Sequence, residues 1–239
     1  MFAARAEAND NLKYLRTLES WFGKLGNPSE FKELDQLFRP ILHVVLLIWK
    51  NSRYYNSPAR LVVLVRMICN AVINAALKHV NGGAVFEAIE SASEGQAIAQ
   101  LQDVLGVCEA LKRTYDDYKA TANAECPDNP WRIQSNALFL RLDAFVERCH
   151  DVLEMTEAIQ KFRKLEKVEI GGSKGAALEA AVLAIRADFD AAVNAFKEVK
   201  YDILQVEEAS FDDDYYALRT AFRELERRLA AILTQGFES

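Results

Sequence analysis

The stretch that most limits how this chain can fold runs from Ile41 to Ile73, ILHVVLLIWKNSRYYNSPARLVVLVRMICNAVI. Two apolar segments flank a polar corner. From Ile41 to Trp49 the sequence is apolar nearly all round, so a helix there is buried on several sides and forms the central element of a bundle. Beyond the corner, Leu61, Leu64, Val65, Ile68, Val72 and Ile73 keep helical spacing. Ser57 and Pro58 read as N-cap and first helical residue. The hydroxyl can accept from an orphan amide, and Pro58 lacks only an N–H that the first turn leaves unused. The apolar run is interrupted by His43 and fenced by Arg39 and Lys50. A membrane span needs about 20 apolar residues, so a core helix is expected and no membrane partner.

The rest of the chain supplies more helices. Only 5 prolines and 10 glycines punctuate 239 residues, which leaves room for long uninterrupted helices and too few turn signals for a β-rich chain. An all-α fold follows. With 51% hydrophobic and 27% charged residues the chain can bury a sizeable core. The formal charge of -6 argues against a phosphate-binding surface, which needs clustered Lys and Arg, so nucleic acid is not an expected partner. Cys69, Cys108, Cys126 and Cys149 are scattered with no C-x-x-C pair, and nothing resembles a signal peptide. Reduced intracellular thiols are the reading.

Ala3 to Trp21 is helical, carried by Leu12, Leu15 and Leu18 and stopped near Gly23 and Gly26. It opens without an N-cap, as if cut from a longer helix. Phe31, Leu34, Leu37 and Phe38 start a second helix that Pro40 is expected to kink or break. Asn81-Gly82-Gly83 closes the helix begun at Pro58, and a weak helix follows over Val85 to Ser91. Ile98, Leu101, Leu105, Cys108, Leu111, Tyr115 and Tyr118 mark the next, ending near Asn123. The loop Cys126-Pro127-Asp128-Asn129-Pro130-Trp131 sets a domain boundary near Ala124.

From Ser135 to Glu169, Leu138, Leu142, Phe145, Cys149, Val152, Ile159, Phe162 and Leu165 recur without an internal breaker. At 1.5 Å per residue that is a rod of roughly 50 Å. After the turn Gly171 to Gly175, Leu178, Val182, Ile185, Phe189, Val193 and Phe196 repeat the pattern, so the two helices read as an antiparallel hairpin. The last seam is Tyr215, Leu218, Phe222, Leu225, Leu229 and Ile232. Asp212, Asp213 and Asp214 stand at its positive end, Glu224 and Arg228 form an i,i+4 pair, and Gly236 is placed to close it. The architecture expected is elongated antiparallel helical bundles in tandem, residues 1–124 and 125–239, with no fixed-period repeat.

Candidate chemistry is thin. GGSKG, residues 171–175, lacks the order and the preceding strand of a phosphate loop and reads as a helix–helix turn. Glu147, His150 and Glu154 share a helix face, but a stable metal site needs more nitrogen or sulfur ligands. Calcium at Asp212 fails because Tyr216 and Ala217 stand where an EF-hand wants an oxygen ligand and glycine. His43 is expected to be a hydrogen-bonded core histidine. Trp131 reads as a staple packed over the long hairpin's end rather than a solvent-facing anchor, and Tyr54 with Tyr55 as a packing pair. No Ser, Cys and His grouping has the spacing for nucleophilic catalysis. No catalytic, cofactor-binding or metal residue is assigned.

The run Trp49-Lys50-Asn51-Ser52-Arg53-Tyr54-Tyr55-Asn56-Ser57-Pro58-Ala59-Arg60, with Leu61 to Ile73, resembles the N-terminal tail region of dynein heavy chains, the axonemal type in particular. Three further blocks agree in order: Asn11 to Leu15 with Thr17-Leu18-Glu19, Leu165-Glu166-Lys167 to Gly175, and Phe211 to Phe237. Val80 to Glu125 departs most from the pattern. The resemblance implies a piece of a very large microtubule motor, cut from the tail ahead of its ATPase ring and itself catalytically silent. It implies successive helical bundles that associate heavy chains. It also implies WD-repeat intermediate chains and light chains as partners, and a place in the cytoplasmic cytoskeleton, on the ciliary or flagellar axoneme. Trp49, Arg53, Tyr54, Tyr55, Ser57, Pro58 and Arg60 become a structural signature that fixes bundle geometry, and no partner-binding residue is transferable. The alternatives are an unrelated helical adaptor of spectrin or vinculin type, or a helical enzyme, which needs a polar constellation inside the core.

Overall fold

The computed structural model describes residues 2–80, 85, 94–163 and 175–237. Among these, every regular element is helical: α1 (Phe2–Gly26), a 3-10 turn (Phe31–Glu33), α2 (Leu34–Asn51), α3 (Pro58–His79), α4 (Glu94–Glu125), α5 (Ser135–Arg163), α6 (Gly175–Lys197) and α7 (Ser210–Phe237). The fold is all-α. The expected Asn81-Gly82-Gly83 stop, the helix over Val85 to Ser91 and the Gly171 to Gly175 turn fall on stretches that lie almost wholly outside the described residues.

Two compact units divide the chain: Met1–Asn81 with Ala99–Cys149, and Gly82–Ile98 with His150–Ser239. This partition runs along a different line from a cut at Ala124, because residues 125–149 belong with the first unit.

In the first unit α1 packs on both α2 and α3. Phe31, before α2, stacks on His79 at the end of α3 with ring centres 4.6 Å apart, so α2 and α3 are antiparallel. Lys32–Asp103 from the 3-10 turn, then Arg39–Asp117 and Lys50–Glu125 from α2, step along α4 in the same order, so α2 and α4 run parallel. Leu61, Leu64, Val65, Ile68, Val72 and Ile73 are all buried, as their spacing predicts.

Several expectations are corrected here. Pro40 does not break α2, which continues through it from Leu34 to Asn51. Proline there forfeits one ladder bond, to the carbonyl of Gln36, and Gln36 is exposed. Leu34, Phe38, Ile41 and Leu42 on either side are all at most 1% exposed, and their burial holds the helix together across the gap. His43 is not a core histidine. It stands exposed on a strip with Leu47 and Lys50, so α2 is amphipathic rather than buried all round. Its ring meets Tyr118 edge-on at 6.3 Å. α1 runs through Gly23 and ends at Gly26, the second of the two expected stops, and Leu12 points away from the packed face at 51% exposure.

The second unit is organised by aromatic rings. Phe162 of α5, Phe189 of α6 and Phe222 of α7 meet with centroids 4.9, 5.7 and 5.3 Å apart. Phe211 stacks on Tyr215 and takes Phe196 edge-on. Of the α6 stripe, Ile185, Phe189, Val193 and Phe196 are buried, while Leu178 and Val182 are half-buried. α6 packs most extensively along α7, and it meets α5 through Phe162. The expected Glu224–Arg228 pair acts through charge alone, Arg228 helping to hold the Glu224 carboxyl below its ordinary pKa. Glu224 accepts two hydrogen bonds from Arg227, at 2.9 and 2.7 Å, and Arg228 reaches across to Asp188 at 2.6 Å. Arg227 presents its guanidinium fork to both Glu224 oxygens, a bidentate pairing.

Candidate functional site: the corner between α2 and α3

The corner is built on Ser52, which is 1% exposed. α2 ends at Asn51, and the Ser52 backbone turns extended while its N–H still bonds the Ile48 carbonyl at 2.8 Å. Its hydroxyl oxygen accepts from the backbone N–H groups of Tyr54 and Tyr55 at 3.1 and 3.0 Å. The same hydroxyl donates to the Asp10 carboxylate of α1 at 3.3 Å, and the Arg53 backbone N–H bonds that carboxylate too, at 3.3 Å. One buried serine and one aspartate thus satisfy the amides that a sharp turn would otherwise strand.

Ser57 and Pro58 sit at the predicted N-cap and first helical position. Ser57 is extended, but its hydroxyl makes no capping bond. The backbone carbonyl of Ser57 instead accepts from the N–H groups of Arg60 and Leu61, at 3.1 and 3.0 Å. The Arg60 guanidinium lies 3.9 Å from the Tyr54 ring centre and donates to the Tyr54 carbonyl at 3.2 Å. Tyr54 meets Tyr55 edge-on, and burial raises the pKa of the Tyr55 phenol, with Tyr54 adding to the effect.

A distant loop completes the corner. The Trp49 indole N–H donates to the Asn129 carbonyl at 3.1 Å, and the Asn129 side chain donates to the Asn56 carbonyl at 3.1 Å. Trp131, fully buried, stacks on Trp49 at 5.9 Å and receives Tyr115 edge-on at 5.6 Å. So Trp131 is a staple, but it closes over Trp49 rather than over the end of the long hairpin. Its backbone N–H is held by the Asn123 side chain at 2.7 Å. Asp10, Ser52 and Asn129 were invisible as a set in sequence, since 42 residues separate Asp10 from Ser52 and 73 separate Asn56 from Asn129.

Elsewhere, several titratable groups pair with one another or are buried. Glu147, His150 and Glu154 are each exposed, and Glu154 is engaged by the Tyr215 hydroxyl at 3.0 Å and by Arg219 at 3.2 Å. Among the described residues, no three His, Cys, Asp or Glu side chains are placed to hold a metal ion. Asp212 and Asp213 stand in the first turn of α7, and Asp214 accepts from the Tyr201 hydroxyl. Cys69, Cys108 and Cys149 are buried and free; burial pushes the first two thiols up to about 12 and the third higher still. The Asp10 carboxylate, the Ser52 hydroxyl, the Trp49 indole N–H and the Asn129 side-chain amide are spent within the corner.

A profile described as "Dynein heavy chain, N-terminal region 1" matches residues 1–239. The chain belongs to the dynein heavy chain family. It is 43% identical over 236 residues to the dynein beta chain of the flagellar outer arm of Chlamydomonas reinhardtii. It is 32% identical over 240 residues to a ciliary dynein beta chain of Tripneustes gratilla, and 30% over 235 residues to dynein axonemal heavy chain 17 of Homo sapiens. These matches cover 99%, 99% and 97% of this chain but only 5% of each of those dyneins. An unrelated adaptor of spectrin or vinculin type is excluded by the family. The segment matches the N-terminal, tail side of dynein heavy chains.

Proposed function

We propose that this segment is a non-catalytic scaffold in the tail of an axonemal dynein heavy chain. It associates heavy chains with one another and carries intermediate and light chains, while the parent protein drives microtubule motion elsewhere along its length. Its place is then the axoneme, where the tail attaches the motor to the outer doublet. The observation that carries this reading is the match of the whole chain, residues 1–239, to the dynein N-terminal region. A fold of packed helices whose polar groups brace one another suits a scaffold, and the flagellar, ciliary and axonemal names of the relatives support the location.

Within this reading, Trp49, Arg53, Tyr54, Tyr55, Ser57, Pro58 and Arg60 fix bundle geometry rather than contact a partner. The tandem bundles of this reading are residues 1–124 and 125–239, divided ahead of the loop Cys126 to Trp131. The test is affinity capture from ciliary extract with the purified segment, its folding verified by a cooperative melt. Recovery of dynein heavy, intermediate and light chains is expected. A well-folded segment that captures no dynein subunit overturns the scaffold role.

A further inference from the structure

We draw no further inference here: the strongest candidate, the exposed apolar strip of Val63 and Met67 on α3 beside Leu140 on α5, carries no occupant, because nothing in the structure shows what covers it.

Discussion

At the scale of single residues, the corner concentrates its stability in a few buried groups. Trp49 is 1% exposed, stacks on Trp131 and spends its indole N–H on Asn129. Replacing it with alanine leaves a large cavity, a core-type loss of about 3 to 5 kcal/mol. Thermal or urea unfolding reads this directly, and an unchanged midpoint combined with lost partner capture would move Trp49 from the core to a binding role. His79 gives one pH dependence. Burial holds its imidazole below the ordinary value; Asp103 opposes that shift and Lys32 adds to it. Because the folded pKa is the lower one, the unfolded chain takes up the proton first. Stability from this group is therefore full above about 6.5 and is lost as pH falls through that value towards the folded pKa. His79→Phe preserves the stack on Phe31 and should flatten the difference in urea midpoint between pH 7.5 and pH 5.5. An identical acid loss in the variant would assign it to other groups.

At the scale of helices, hydrophobic periodicity located the elements because burial repeats with the helical turn. The stripes of α3 and α7 were legible for that reason. What the sequence concealed was long-range geometry: Asp10, Ser52 and Asn129 are ordinary polar residues until the fold brings them together. Propensity also misled locally. Proline's penalty at residue 40 is a single-bond effect, whereas four core side chains around it act together. Hence Pro40→Ala should lengthen no helix but should stabilise the protein, by up to about 3 kcal/mol in principle. Roughly 0.4 to 1 kcal/mol of that returns as restored freedom of the unfolded chain. A lower melting temperature for the variant would show that Pro40 contributes packing that alanine cannot replace.

At the scale of the molecule, the division of the chain into two units and the family match bear on different questions. Composition gave the all-α class, and the ordered blocks gave the family, but neither indicated which helices share a core. Trp131 is the clearest case: its burial followed from its chemistry, while its partner across 82 positions, Trp49, did not. The thiols report on the intact fold. Cys126 is half-exposed and the other three cysteines are buried with their thiols held protonated. A thiolate-specific reagent such as DTNB should therefore label one cysteine in the native protein and the remaining three only after unfolding. Rapid labelling of a second thiol under native conditions would mean that the first unit opens locally.

The clasp of Asn129 and Trp131 over Trp49 also sets an order of events during synthesis. Trp49 and the carbonyl it bonds are 80 residues apart. A nascent chain that has emerged only as far as α3 holds two apolar helices and a bare indole. The corner closes after a ribosome has delivered the whole of α4 and the loop that follows. Until then only α1 is available to cover the most apolar stretch of the protein, and it is in this interval that a chaperone would have most to shield.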